Sequence, residues 1–495
     1  MLQYQFYKLI ARIIGIILAT ILIARGTWGY GFAVIAVAAI YFAIIERPGP
    51  LFLCTLFMHF IIMSNPLLIP RLASFMTISR LTLLLCEVLL IFLGMKRMGY
   101  EKLPLITLLP YLVVALIASI GGYFPLISFF KLGSFLLFLS SIYIGLQNLN
   151  SRPREIEIIR AGIFAFSIIA VYGSILTLPF PVVAYYTSAR GALAEYGISY
   201  AENIFLASSD GMKLFTGVAV HSQFMGPLLA CTGVWLLCDM LLVERRVSLL
   251  HLFLLMPLPV LLYMTRARIG LLAIVVGFVI VYVYLIPKIK FDRRTSVGVL
   301  AFMSIFMAVL VISSTILELR GGYLSKWLRK TEDVKHDQRG LSTAVTASRQ
   351  GVIFNCMDDF HKNKLLGMGF QVVKEHQELF RNGQITIYSA PLEKGVLPIM
   401  ILGETGVVGL IAFIVFLIQY FTRCSHQGLW ASCTCFTVLL ATNMAEATFF
   451  SPGGGGGVFW MICAGGGFVI DMMARVRSFV PMAPRFEEEA FERNV

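Results

Sequence analysis

The sequence predicts an all-α protein: a polytopic transmembrane helix bundle of roughly 12–14 spans with one long extracytoplasmic loop containing helices. Three observations carry that prediction. Hydrophobic residues make up 58% of the 495 and charged residues only 14%, with a mean hydropathy of +0.83, which leaves too little polar surface for a water-soluble chain. The apolar residues come in unbroken runs such as Ile13–Leu22, Leu249–Met264, Ile269–Pro287, Val297–Ile316 and Val407–Phe421. The basic residues fall in short clusters between those runs, where they set topology.

About 20 apolar residues in a helix cross the hydrocarbon core, and a helix satisfies its own backbone polar groups there. Spans are predicted near 8–24, 28–46, 50–68, 79–95, 103–121, 124–146, 160–179, 214–243, 249–264, 269–287, 297–316, 396–421, 429–447 and 458–474. The first run lacks a small-residue cleavage site and reads as a retained helix. Lys96, Arg97 and Lys102 form one basic cluster, and Arg152, Arg154 and Arg160 another. Arg245 with Arg246, then Lys288, Lys290, Arg293 and Arg294, then Arg475 and Arg477 continue the series. All fall on alternate loops, which the positive-inside rule makes cytoplasmic, together with both termini.

The chain then divides into N-terminal spans (1–179), central spans with an outer loop at 180–213 (180–316), a long periplasmic loop (317–395), C-terminal spans (396–474) and a cytoplasmic tail (475–495). A glycine run, Gly453–Gly457, reads as a flexible outer loop or linker between the last two spans. The formal charge of +13 comes without a nucleic-acid module or a long basic tail, so no nucleic-acid partner is expected. Nine cysteines show no paired CxxC motifs, which argues against a zinc site and a disulfide framework. No metal or other cofactor is expected.

The 317–395 loop is the one sizeable polar region, and a loop that long is commonly functional. It opens on Lys326, Trp327, Arg329 and Lys330, turns near Arg339–Gly340, and continues as a helix from about Ser342 to Lys362. Arg349, Ile353, Cys356 and Phe360 share one face of that helix. An arginine on such a face beside a membrane calls for an anionic partner. Gly367 and Gly369 end the helical pattern beyond it, and the adjacent Asp358 and Asp359 read as a solvated face.

Four constellations stand out. Thr265-Arg266-Ala267-Arg268-Ile269-Gly270 is a tight outer connection. Its arginines either snorkel to headgroups or form a fixed guanidinium suited to bidentate phosphate contact. Ser348-Arg349 precedes Asn363-Lys364-Leu365-Leu366-Gly367-Met368-Gly369. Glu404-Thr405-Gly406-Val407-Val408-Gly409 lies inside a span, where the glycines would permit close helix packing and the carboxylate must face a partner or a cavity. Gly217 through Gln223 places His221, Ser222 and Gln223 early in a span, and hydrogen bonding within the bundle is the common role of such a histidine.

Taken in order, these pieces resemble the O-antigen ligase and O-antigen polymerase family of bacterial polysaccharide assembly. That family shows a G-x-x-x-x-P-N-like stretch, matched loosely by Gly217–Gln223, and a T-x-S-R pattern, matched by Thr265 and Arg268 with Ala267 in place of the serine. Next come an S-R pair and N-P-L-x-G-x-G, matched by Ser348, Arg349, Asn363, Leu365, Gly367 and Gly369. An E-x-G-x-x-G stretch is matched by Glu404, Gly406 and Gly409. The resemblance covers about residues 214–450, and its specificity lies in the order and spacing of short motifs. One departure counts against the ligase branch. Where the ligases carry a histidine, eleven residues before Gly406, this chain has Gly395, preceded by Glu393 and Lys394.

The resemblance implies metal-independent glycosyl transfer on the periplasmic face of the bacterial inner membrane. The donor would be a polyprenyl-diphosphate-linked saccharide, and the acceptor a saccharide or lipid A core hydroxyl; O-antigen or exopolysaccharide polymerase is favoured over ligase. A chain-length regulator protein is a further candidate partner, beside the lipid bilayer itself. Negative charge grows on the departing diphosphate, which preorganised cations stabilise. Arg268 and Arg349 are the candidates for that task, and Glu393 and Glu404 for the catalytic carboxylates. Arg266, His221, Gln223, Lys394 and His361 are candidate substrate-binding residues, with His361 and His376 weighed also as proton acceptors. The alternative reading is a lipid-linked saccharide flippase or other multi-span transporter, with Arg80 and Lys131 along a charged pathway. The lack of an internal repeat counts against it.

Overall fold

In the computed structural model the protein is an all-α helix bundle of the polytopic membrane class. The structure describes residues 6, 9–10, 12–16, 30–65, 67–68, 76–96, 103–147, 149, 152–184, 215–288, 301, 304–305, 308, 312, 353–374, 380–382, 396–444, 448–453 and 455–479. Among these, 7 helices are long and apolar enough to cross a membrane, and five shorter apolar helices accompany them.

The elements follow the apolar runs. They are α1 (Tyr30–Ile44), α2 (Pro48–Ile62), α3 (Met76–Met95), α4 (Leu109–Ile120, entered through a 3-10 turn at Pro104–Leu108) and α5 (Pro125–Gln147). Then come α6 (Pro153–Ile168), α7 (Ser222–Cys238), α8 (Leu249–Leu255), α9 (Leu258–Thr265) and α10 (Arg268–Ile280). The last are α11 (Leu397–His426), α12 (Trp430–Thr442), α13 (Gly455–Trp460) and α14 (Gly466–Phe479). Proline opens α2, α6 and α11 in the first turn, where its missing N–H costs nothing. Wide π turns continue α6 (Ile169–Gly173), α7 (Asp239–Glu244) and α10 (Val281–Leu285) and join α13 to α14 (Met461–Gly465). Exposed Leu, Ile, Val and Phe side chains stud α3, α4, α10 and α11; an aqueous surface would not tolerate that density, and lipid does. By contrast the apolar stretch through α7 is wholly buried, so it is the central helix of the bundle.

The expected spans near 50–68 and 214–243 are corrected at one end each. Helix α2 stops at Ile62, and α7 does not begin until Ser222. Between them Ser64 and Ala219 form an antiparallel bridge, Asn65 N–H donates to the Val218 carbonyl (2.8 Å), and Val220 N–H donates to that of Met63 (2.9 Å). The two ends trade helical bonds for pairing with each other, helped by a left-handed Gly217 (φ +53°). The glycine run is corrected too. Gly455, Gly456 and Gly457 form the buried first turn of α13 and are no flexible linker. A Cβ on Gly455 would strike Phe224 at 2.5 Å, and one on Gly457 would strike His59 at 2.3 Å.

The basic residues of the loops gather at one end of the bundle. Lys96 pairs with Glu46 (3.2 Å), Arg47 with Glu155 (2.5 Å), and Arg475 donates to the Gln427 carbonyl. Nearby, Arg160 is buried completely. It grips Asp239 through Nε (2.6 Å) and Nη2 (2.9 Å) and Glu244 through Nη2 (2.5 Å), while His251 Nε2 lies 3.0 Å from Asp239.

Candidate functional site

The opposite end collects the motif residues in two neighbouring patches. The first is built where α7 crosses α9 and α10. A Cβ on Gly226 would lie 2.4 Å from that of Ala267, and one on Gly270 would lie 2.5 Å from the Gly226 backbone, so only glycine permits this crossing. The alanine at 267, where the resembled pattern has serine, is the residue that fills it. Helix α9 ends at Thr265, Arg266 takes a left-handed turn (φ 52°), and Arg268 opens α10. Thr265 Oγ1 accepts from the Ala267 N–H (3.2 Å), which ties the turn together. Both arginines are half-buried. His221 precedes α7 in extended geometry and its Nδ1 accepts from the Gln223 N–H (3.1 Å), so this imidazole caps a helix start. Because the crossing lies one to two turns along α7, His221, Gln223, Arg266 and Arg268 share one end of the bundle.

The second patch is an interlock between the 363–371 segment and α11. Gly406 leaves the helical course of α11 (φ 64°, ψ −165°), freeing carbonyls on one side of the kink and N–H groups on the other. Met368 N–H donates to Gly403 O (2.9 Å) and Gly369 N–H to Glu404 O (3.0 Å). In return Val407 N–H donates to Lys364 O (2.9 Å) and Val408 N–H to Leu365 O (3.2 Å). Gly367 (φ +67°) would drive a Cβ to 2.3 Å from the Glu404 carbonyl carbon, and Gly406 would drive one to 2.2 Å from Leu365 O. The expectation that Gly406 and Gly409 serve helix–helix packing is therefore corrected. Gly406 receives the 364–366 backbone, and Gly409 makes room for Thr405. Glu404 is fully buried in α11, where Tyr111 of α4 faces it and Thr405.

A short helix over 353–362 precedes this interlock, with Cys356 buried and Ile353 and Phe360 half-buried, as the predicted face requires. Gly403 accommodates it closely, since a Cβ there would meet Cys356 O at 2.8 Å. Tyr123, between α4 and α5, donates its hydroxyl to Asp359 Oδ1 (2.5 Å) and its N–H to Met368 O (3.0 Å). Asp359 is thus buried and engaged, a correction to the solvated face expected for both aspartates. Asp358 does face solvent, and its bond with Lys362 holds its carboxyl below the usual range. Burial, then the bond to Asp359, raises the pKa of Tyr123 above the usual tyrosine value. Further along, Ser128 donates to Phe370 O (2.8 Å) and Lys131 to Gln371 O (3.0 Å). Gln371, left-handed at φ 52°, reaches Ser451 Oγ with Nε2 (3.3 Å). These contacts join the second patch to the loop before α13, whose Gly455 packs on Phe224 of α7 and so on the first patch.

His361 is exposed, and its Nδ1 lies 2.6 Å from Met357 O of its own helix. Arg349, Glu393, Lys394 and His376 lie outside the described residues. Tyr123, Asp359, Gln371 and Ser451 had no motif to mark them. Glu87 and His59, buried inside predicted spans, were legible by the rule that an ionisable residue in a span needs a partner. No family model matches the chain, and no curated protein matches it.

Proposed function

We propose that this protein is a membrane glycosyltransferase that polymerises, or alternatively ligates, polyprenyl-diphosphate-linked saccharide units at the patch-bearing end of its bundle. On this reading that end faces the periplasm, the basic end faces the cytoplasm, and the protein sits in the bacterial inner membrane. The observation that carries the reading is the interlock. Two motif matches some forty residues apart, 363–369 and 404–409, exchange three backbone hydrogen bonds, and a fourth runs from Met368 to Gly403 beside the second. Chance matches to short patterns have no reason to meet, and Gly367 and Gly406 of the pattern are where an added Cβ would strike the opposite segment.

The chemistry needs little from the protein beyond placement and charge. The bond from the anomeric carbon to the diphosphate breaks, and its electron pair departs on the diphosphate. Arg268, half-buried at the patch-bearing end of the bundle, would on this reading meet that growing charge in a partly dry setting where a guanidinium acts strongly. Arg349, which lies outside the described residues, is assigned the same task from its place in the sequence pattern. Glu404 is assigned the role of holding the site in shape through the kink. Polymerase is favoured over ligase because Gly395 stands at the histidine position of the ligases.

A strain lacking the gene and carrying Arg268→Ala or Arg349→Ala tests this. The expected result is loss of polymer with accumulation of single lipid-linked repeats while the variant still inserts. Normal polymer from both variants would overturn the assignment.

A further inference from the structure

His59 and Glu87 meet inside the bundle, beside the turn of α13 whose Gly455 packs on Phe224. His59 lies one turn before the end of α2 and is fully buried; Glu87 lies near the middle of α3 and is 5% exposed. Nε2 of His59 is 3.3 Å from Oε1 of Glu87. Phe138 of α5 packs edge-on against the imidazole at 5.1 Å. Neither ring nitrogen has a partner in hydrogen-bond geometry among the described residues; Nε2 has only the Glu87 carboxylate nearby, and Nδ1 lies on the other side. It faces the backbone of Gly457, where a single added carbon would come within 2.3 Å. The first turn of α13 is therefore kept bare of side chains where it passes the ring.

A carboxylate and an imidazole buried in a membrane bundle are costly for packing alone, and an orphaned buried nitrogen calls for a role. The neighbours do not supply a compensating charge. Cys54 of α2 and Cys86 of α3 are thiols beside the pair. Helix α6 spends Glu155 on Arg47 and Arg160 on Asp239 at the basic end, with Arg154 and Glu157 in its first turn there. Lys131 of α5 bonds Gln371, and Tyr143 lies toward the basic end of that helix. Arg80 lies two turns from Glu87 toward the patch end of α3, Tyr41 of α1 is exposed, and α13 has no ionisable side chain.

We propose that His59 and Glu87 form a proton-binding site within the bundle, which takes up the proton an acceptor hydroxyl gives up during transfer. With His59 neutral and Glu87 ionised, the pair carries one negative charge; one proton on Nδ1 makes it an imidazolium–carboxylate pair of zero net charge, which burial favours. In the step itself the acceptor O–H breaks and its oxygen bonds the anomeric carbon. The carbon–diphosphate bond breaks with its electrons, and the proton passes by the Gly457 side to Nδ1. The transfer role rests on the glycosyltransferase reading above; proton binding by the pair does not.

The test uses the full chain, purified and reconstituted in phosphatidylcholine vesicles. Infrared difference spectra between acid and alkaline buffer are expected to show coupled carboxyl and imidazole signals. Glu87→Gln should remove the carboxyl signal, His59→Gln should shift it, and Gly457→Ala should alter only the imidazole signal by crowding Nδ1. A Glu87→Gln spectrum identical to wild type would overturn the site; a cooperative melt certifies the fold of each variant, with Gly457→Ala expected to melt lower because its Cβ would also crowd the Pro452 carbonyl. In the transfer assay, His59→Gln is expected to lose on the order of 10²-fold in rate, with a changed pH profile. A wild-type rate and profile in that variant would overturn the proton's part in transfer. A wild-type protein that makes no polymer would overturn the glycosyltransferase reading while the spectra still decide proton binding.

Discussion

Gly406 and Leu365 meet backbone to backbone: the kinked glycine of α11 lies so close that a Cβ on it would sit 2.2 Å from the Leu365 carbonyl oxygen. Its φ of 64° and ψ of −165° are accessible to glycine and hardly to any other residue. Gly406→Ala should therefore add about 1–3 kcal/mol of backbone strain to an overpacking penalty of similar size, roughly 1–3 kcal/mol. The melting temperature of the detergent-solubilised variant should fall clearly, and polymer formation with it. A variant that melts like wild type would mean that the interlock is not tight.

The docking of the 353–362 helix gives a pH prediction. Burial and Asp359 raise the pKa of Tyr123, so the folded protein holds this proton more tightly than the unfolded chain does. Its stabilising contribution is then complete below the ordinary tyrosine pKa of about 10 and is lost as pH rises through the higher folded value. Thermal melting of wild type should show this extra loss on the alkaline side, and Tyr123→Phe should abolish it. The same substitution should cost about 1 kcal/mol at neutral pH by removing the bond to Asp359. An alkaline loss of equal size in Tyr123→Phe would assign it to another group.

Arg160 anchors the other end. Replacing it by Met leaves Asp239, Glu244 and His251 clustered without their central cation, and breaking a buried ion pair from one side costs about 3–5 kcal/mol. Reduced yield and a lower melting temperature are expected for Arg160→Met. A combined Arg160→Met, Asp239→Asn variant should recover part of the loss, because it leaves less uncompensated charge. Wild-type melting of the single variant would show the network to be dispensable.

These outcomes also mark how far the sequence was legible. Apolar run length located the described helices, with ends displaced by up to eight residues, because in lipid the backbone has few alternatives to a helix. Basic clusters on alternate loops placed Lys96, Arg152, Arg245 and Arg475 at a common end. The tight connection at Thr265–Gly270 and the breaks at Gly367 and Gly369 were signalled by position and residue type, whereas the left-handed geometry of Arg266 was not. The partners could not be read. Nothing local in Gly406 says that it receives Leu365, or in Asp359 that it meets Tyr123 over 200 residues earlier. The shortened ends of α2 and α7 come from pairing with each other across 155 residues, which overrides hydropathy. Gly453–Gly457 misled for the same reason: glycine signals looseness locally, whereas Gly455 and Gly457 are small because Phe224 and His59 press against them.

The most direct measurement is made on purified protein in liposomes supplied with a defined polyprenyl-diphosphate-linked saccharide, tracking product length and released polyprenyl diphosphate together. The account predicts elongated lipid-linked saccharide with one polyprenyl diphosphate released per bond formed, without added nucleotide sugar or metal, and loss of both signals in Arg268→Ala. Donor that crosses the bilayer but is never joined, or an Arg268→Ala variant that elongates at the wild-type rate, would contradict it.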